Sequence, residues 1–261
     1  MSKRFETAQA LALKVGELLR DVCVKTIGFD EKTGWQDIVT SYDKQAEHLI
    51  RSTIAEAFPE DAVVGEEFPA SSGTVYTWYI DPIDGTTNFV NQHHDYCVSI
   101  ACYKSNEAIF GVVLDVERKQ LYTAEAGKGA FRNGERMTTS SRTSLHEMIL
   151  TSPIVQMLLV EDNPYLAGFR QFSREVRAVR SKGSAALELC LVAAGEADLF
   201  ATPLAGPWDH AAAAVILKEA GGACCSYDGK SLSLVGNSTV LAASNAETLE
   251  QFQHCLEEWS R

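Results

Sequence analysis

Basic residues are scarce in this chain: 23 Lys and Arg stand against 35 Asp and Glu, a formal charge of −12 over 261 residues. A nucleic-acid surface needs a stripe of Lys and Arg to displace counterions, so binding to DNA or RNA is not expected. No run approaches the roughly 20 apolar residues needed to span a bilayer. The N-terminal Met1-Ser-Lys-Arg-Phe-Glu6 lacks an apolar stretch before charge returns, which argues against a secretory signal. The seven cysteines form no CxxC pair, and their odd number argues against a disulfide framework. Reduced core thiols in a soluble, cytoplasmic protein are the expectation. What is present is ordinary: 46% apolar residues, enough for one large domain or two modest lobes sharing an interface.

Apolar residues at three- and four-residue spacing predict an amphipathic helix over 3–27, and a mixed-charge loop follows over 28–35. Asp37 to Asp43 is a short extended segment entering a second helix over 44–58, which Pro59 closes. A buried strand over 62–65 ends in Glu66-Glu67. Strands are expected over 77–80, 96–103, 108–116 and 120–125, with a turn near Ser105-Asn106 and an Asn133-Gly134 turn, making the middle section an antiparallel sheet. The Thr- and Ser-rich stretch 137–146 is the expected boundary between an N-terminal α+β lobe (1–140) and a C-terminal α/β lobe (141–261). The second lobe alternates strands (148–151, 176–179, 197–201 and short strands to 243) with helices (162–174, 183–194, 208–221, 245–259).

The richest stretch is Trp78-Tyr-Ile-Asp-Pro-Ile-Asp-Gly-Thr-Thr-Asn-Phe-Val90. A buried strand runs into two carboxylates three residues apart, Asp81 and Asp84. Pro82 between them has no N–H to satisfy, and Gly85 lets the backbone approach a ligand. Thr86, Thr87 and Asn88 then open a helix whose free N–H groups favour a phosphate. Glu66-Glu67 end the preceding strand and Asp209 opens a helix after Gly206-Pro-Trp, so each acid lies at an element boundary where side chains converge. Converging carboxylates repel one another unless cations sit between them, and oxygen-only ligands favour Mg²⁺ over zinc. Bound cations would also explain how so acidic a chain attracts an anionic phosphate.

Gly65-Glu66-Glu67, Asp81-Pro-Ile-Asp-Gly-Thr-Thr-Asn-Phe89 and Trp208-Asp-His-Ala-Ala-Ala together resemble the inositol monophosphatase family of Mg²⁺-dependent, lithium-sensitive phosphomonoesterases. Asp37-Ile-Val-Thr…Asp43, Gly127 to Gly134, Gly183-Ser-Ala-Ala-Leu-Glu-Leu and Glu219-Ala-Gly-Gly222 extend the resemblance along nearly the whole chain, in order. It implies an α+β, α/β chain folded as a layered αβαβα sandwich of the inositol monophosphatase/fructose bisphosphatase type, and a homodimer. It implies two to three Mg²⁺ per site: Glu66, Asp81 and the Ile83 carbonyl around the first, Asp81, Asp84 and Asp209 around the second, and Glu66 with waters around a weaker third. Phosphate would lie over Asp84, Gly85 and Thr86. Asp37 with Thr86 would activate the attacking water, with Glu67 in support.

At the substrate end, Ser184 and Ala185 match the segment lining the family's sugar pocket. Thr202 stands where many members carry a Glu that contacts inositol hydroxyls. The expected reaction is hydrolysis of a small phosphomonoester, with inositol monophosphate first in line. NADP, phosphoadenosine phosphate and fructose bisphosphate remain alternatives on the same core, and a non-catalytic phosphate-binding regulator is a rival of another class. Elsewhere, His93-His94 read as structural or surface residues. Gly127-x-Gly129 lacks the third glycine of a dinucleotide loop, Lys182 meets either solvent or phosphate, and Cys224-Cys225 belong to a β-core.

Overall fold

Strand alternation sorts this chain into two large sheets with helices packed on both, beside a separate two-stranded hairpin. The computed structural model describes residues 2–22, 27–34, 37–73, 75–154, 157 and 164–260. In the first sheet β3 (Ala62–Gly65), β4 (Tyr76–Asp84), β5 (Cys97–Lys104), β6 (Glu107–Asp115), β7 (Gln120–Glu125), β8 (Ala130–Arg132) and β9 (Glu135–Met137) lie side by side in chain order. All neighbours pair antiparallel except β3 with β4, which run parallel. The two expected turns close hairpins of this sheet. Ser105 and Asn106, like Asn133 and Gly134, all have positive φ, as a two-residue turn matched to strand twist requires.

Side chains alternate across this sheet with period two. Trp78, Ile80, Val98, Ile100, Phe110, Val112 and Leu114 face α1 (Lys3–Arg20) and α2 (Ser41–Ala57) in one core. Tyr79, Cys97, Ala101, Tyr103 and Val113 face the other way, onto α5 (Ala185–Ala193) and α6 (Pro207–Glu219). The backbone of α6 lies almost on the strands: a Cβ at Gly111 would meet the Ala212 carbonyl oxygen at 2.2 Å.

The second sheet, order β11-β10-β12-β14-β13, covers the far side of α5 and α6. Its strands are β10 (Ile149–Thr151), β11 (Ala178–Arg180), β12 (Leu199–Ala205), β13 (Ala223–Cys225) and β14 (Ser238–Ala243). The pairs β10–β11 and β10–β12 are parallel, while β14 runs antiparallel to β12 and β13. Its outer face packs on α4 (Leu166–Glu175) and α7 (Ala246–Ser260). The result is an αβαβα sandwich, the expected architecture.

Two expectations fail near the N-terminus. The first helix ends at Arg20 rather than 27, with Asp21 as its C-cap. An acid at the negative end of the helix dipole favours stopping there, although apolar spacing continues to Val22; residues 23–26 lie outside the described residues. The expected loop over 28–35 contains a strand, β1 (Phe29–Gly34), paired antiparallel with β2 (Asp37–Thr40). Phe-Asp-Glu-Lys-Thr-Gly buries no alternating face, and Phe29 is 53% exposed, so hairpin pairing makes this strand without a hydrophobic pattern. Helix α4 begins at Leu166 where 162 was expected; residues 162 and 163 fall outside the described set.

Candidate active site

The Asp-Pro-Ile-Asp segment occupies a break in the β4–β5 ladder. Asp81 pairs with Ser99 and Asp84 with Cys97, so three steps along β4 match two along β5. This bulge re-aims side chains at the end of the strand, and the missing N–H of Pro82 costs nothing in it. The Ile83 side chain is fully buried under α1 and α2, while its N–H donates to Asp81 Oδ1 at 2.9 Å. Gly85 follows with φ 97° as the N-cap of α3 (Thr86–Asn91). A Cβ there would lie 3.1 Å from the Asp95 carbonyl and 3.3 Å from that of Gly183, so glycine is required both by conformation and by space.

A cleft of about 240 Å³ opens at this point. Glu66, Asp81, Ile83, Asp84, Gly85, Thr86, Ser184, Ala185, Thr202 and Asp209 all line it, so ten of the sequence-predicted residues meet there, from the ends of β3 and β4, the middle of β12 and three helix starts. Glu67 does not. Its side chain is 3% exposed and turns to Lys32 behind Glu66. Asp37 begins β2, and its side chain lies outside the described residues.

Contacts from the starts of α5 and α6 hold the acids. Asp84 Oδ2 accepts hydrogen bonds from Ser184 Oγ and the Ala186 N–H, both at 2.7 Å. These donors sit at the start of α5, about a hundred residues along the chain. Asn88 of α3 fastens the same corner by donating to the carbonyls of Asp95 and Lys182, each at 2.7 Å. Asp209 Oδ2 accepts the Gly206 N–H at 2.7 Å, an N-terminal cap that fixes the carboxylate at the start of α6.

Electrostatically the cluster is under load. Burial, then Glu66, Asp84 and Asp209, push Asp81 well above the usual carboxylate range. Asp209 is raised in the same way, by burial and then by Asp84 and Glu66. Burial lifts Glu66 to about 7, with Lys32 opposing and Glu67 and Asp43 adding. Among the described residues no three Asp, Glu, His or Cys side chains are gathered tightly enough to hold an ion as they stand. Buried Asp81 and Asp84 beside the part-exposed Glu66 and Asp209, joined by a backbone carbonyl and a hydroxyl, fit a hard divalent cation, which would relieve the repulsion on Asp81 and Asp209 and leave the acids ionised.

Four residues to which the sequence reading gave no role of their own, Asp43 and Glu188 within motifs already quoted, complete the surroundings. Asp43 is fully buried, and its Oδ1 accepts from Thr86 Oγ1 at 3.2 Å. Its Oδ2 accepts from the Thr40 N–H at 2.8 Å and the Thr40 hydroxyl at 2.5 Å. Burial raises its pKa, and the Thr40 and Thr86 donors oppose that. The spacing Thr40-x-x-Asp43 reads as a helix capping box, which it also is, and this hid its link to Thr86. Glu47, one turn along α2, accepts the Glu67 N–H at 2.8 Å and Arg51 Nε at 2.6 Å, clamping the Glu66-Glu67 corner. Gly65 makes room for it, since a Cβ there would meet Glu47 Oε1 at 2.4 Å.

Lys32 of β1 reaches Glu66 Oε1 at 2.7 Å and Glu67 Oε1 at 2.6 Å. Burial works against its charge, but the two carboxylates override it and raise its pKa. Glu188 of α5, the fourth residue, lines the cleft and is raised by burial to about 7. The other motifs take structural places. His93 packs against the rings of Phe89 and Tyr96, which also touch each other. His94 pairs with Asp95 at 2.8 Å, and Lys182 salt-bridges Asp95 at 2.9 Å. Cys224 and Cys225 are unbridged in β13.

Comparison with known proteins identifies the family. The family model described as "Inositol monophosphatase family" matches residues 1–258. The inositol-1-monophosphatase of Bacillus subtilis is 33% identical over 246 residues, covering 92% of this chain and 91% of its own. The fructose-1,6-bisphosphatase/inositol-1-monophosphatase of Thermotoga maritima is 36% identical over 229 residues, covering 87% and 86%. The crystal structure of extragenic suppressor protein suhB from Bartonella henselae superposes with a TM-score of 0.89 at 30% identity, over 98% of this chain and 99% of that one. By fold, by sequence and by the acids gathered at the end of β4, this chain belongs to the inositol monophosphatase family.

Proposed function

We propose that this chain is an Mg²⁺-dependent phosphomonoesterase acting on a small phosphorylated metabolite. The observation that carries the reading is the meeting of Glu66, Asp81, Asp84 and Asp209 in one cleft beside Gly85 and Thr86. Glu66, Asp81 and the Ile83 carbonyl would hold one ion, Asp81, Asp84 and Asp209 a second, and Glu66 a weaker third. Bound there, the cations would neutralise the acids, attract the phosphate, acidify water and stabilise the leaving alkoxide.

The remaining work falls to the chain itself. Thr86 Oγ1 lies within hydrogen-bond reach of Asp43 Oδ1 at 3.2 Å and of the Ile83 carbonyl at 3.1 Å. When its proton points to Asp43, its lone pairs are free to take a proton from an attacking water. Thr86 and Asp43 thus form a relay, and Asp43 takes the place first given to Asp37. Burial raises the Asp43 pKa, which makes it a better proton acceptor than an exposed Asp. Gly85, without a side chain, leaves the backbone open to phosphate oxygens. No covalent nucleophile is needed, and Cys97, the nearest thiol to Asp84 at 3.8 Å, is held protonated by burial.

For the alcohol portion the cleft offers Ile38, Pro153, Ala185, Glu188, Thr202 and Leu204. Inositol monophosphate is the first substrate proposed, in line with the names of the relatives. A sugar bisphosphate or nucleotide phosphate is the second, favoured by the double name of the Thermotoga relative and by Thr202. Family membership supports a homodimer, and the unbridged cysteines among the described residues support the reducing cytoplasm. The test is phosphate release from inositol phosphates, fructose bisphosphate, NADP and phosphoadenosine phosphate, with Mg²⁺ and with EDTA. Release from at least one compound, abolished by EDTA, is expected. Failure on all of them with Mg²⁺ would leave the non-catalytic phosphate-binding rival standing.

A further inference from the structure

The hydroxyl of Thr202 is committed inside its own strand. The residue is 1% exposed, and its Oγ1 donates to the Leu204 carbonyl at 3.0 Å and accepts the Leu204 N–H at 3.4 Å. Both bonds close within two residues because β12 bulges here. Thr202 pairs with Val240 and Ala205 with Ser238, so three steps along β12 match two along β14. A bulge leaves backbone groups without ladder partners and re-aims the side chains it carries. The Thr202 hydroxyl takes up the Leu204 backbone groups in place of the missing pairing. Leu204 is the one exposed position of β12, 51% exposed where it lines the cleft.

A large apolar side chain half open to water on the wall of a cleft is stabilised when a ligand covers it. Ile38 and Pro153 line the same cleft, so apolar surface reaches its alcohol half from three separate segments. The acids, Gly85 and Thr86 make up the phosphate end, which leaves the leaving group to meet Leu204. The position where a polyol-contacting acid was expected offers instead a hydroxyl that is already bonded. We propose that Leu204 is a specificity-determining residue, packing on a flat apolar ring of the substrate's leaving group and so favouring such esters over those of short or purely hydroxylated alcohols. This rests on the phosphomonoesterase reading above. Within it, the wall favours the nucleotide phosphates of the second substrate class, whose base supplies the ring, over the polyol phosphate that the relatives' names put first.

A Leu204 that merely ends the bulge, or meets a second copy of the chain, would be indifferent to the alcohol. The roles separate in a ratio. 2-Phenylethyl phosphate and ethyl phosphate release the same kind of primary alkoxide and differ only in the ring, so kcat/KM for the two, with Mg²⁺, reports ring recognition. One methylene in an apolar pocket changes kcat/KM by about 10- to 200-fold. A wall open on one side belongs at the lower end, so the wild type should favour the phenylethyl ester by about tenfold. Leu204→Ala should bring the ratio most of the way to one, whereas Leu204→Met, apolar and of similar volume, should keep it. A wild-type ratio near one, or an unchanged ratio in Leu204→Ala, overturns the proposal, as does no turnover of the phenylethyl ester by protein that hydrolyses inositol monophosphate. The wild-type measurement decides even if a variant fails to fold. Wild-type protein inactive on both esters and on the wider panel would overturn the phosphomonoesterase reading and this proposal with it.

Discussion

Replacing Asp43 by Asn isolates the proposed proton relay. The substitution is isosteric, and the capping-box role of residue 43 can persist, since an amide oxygen still accepts the Thr40 N–H. What is lost is the carboxylate that Thr86 and the Thr40 hydroxyl both address, at 3.2 and 2.5 Å. Two effects on stability oppose each other: a charge-assisted hydrogen bond weakens, while a buried charge disappears. The net cost should be about 1–2 kcal/mol, or about 2–8 °C in Tm for a chain of this size. Catalysis has no such compensation. Without an acceptor for its proton, Thr86 cannot pass on a proton from water, and loss of a general base typically costs about 10²- to 10⁴-fold. Phosphate release at saturating substrate and Mg²⁺ should show kcat reduced by that factor with KM changed less than threefold, and thermal melts should confirm the fold. Asp37→Asn, assayed in parallel, should stay within tenfold of wild type. Near-normal turnover in Asp43→Asn, or a far larger loss in Asp37→Asn, would refute the relay.

Asp84→Asn should abolish detectable turnover yet melt near the wild-type temperature, because Ser184 and the Ala186 N–H can still donate to the amide oxygen; substantial activity would sink the second cation position. Cation-free protein should lose stability as pH rises. Glu66, near 4.5 when unfolded and about 7 folded, binds more protons in the folded state, so its favourable contribution is full below 4.5 and gone above 7. Asp81, Asp84 and Asp209 shift in the same direction. Melts in EDTA should therefore fall between pH 5 and 8, and the Tm gain on adding Mg²⁺ should grow over the same range; a gain independent of pH would contradict the assignment. Gly111→Ala should destabilise by about 1–3 kcal/mol or more, read by chemical denaturation, because its Cβ has no room against the Ala212 carbonyl.

Most of the elements and the acids of the cleft were legible because their signals are local, while the layered arrangement came from the family resemblance. Period-two alternation in β5 and β6, positive-φ turn residues at Asn106 and Gly134, and acids at strand ends each announce themselves within a few residues. What was not legible depends on partners distant in the chain. Lys32 looked like one more charge in a polar loop until the β1–β2 hairpin set it against Glu66 and Glu67, 34 and 35 residues on. Asp43 carried a sufficient local explanation, helix capping, which concealed its second contact with Thr86. Glu188 sat in a motif that indicated a helix, and only the fold showed it in the cleft wall, holding the Lys182 and Gly183 N–H groups.

The Ser184 and Ala186 hydrogen bonds to Asp84 bear on the order of assembly. On a ribosome, Glu66, Asp81 and Asp84 emerge early, followed after about a hundred residues by the donors that seat Asp84 and then by Asp209. Until α5 and α6 settle between the two sheets, the early acids have neither their positioning donors nor their fourth member. Catalysis is therefore the last property this chain acquires, and recovery of phosphate release during refolding should trail the return of secondary structure.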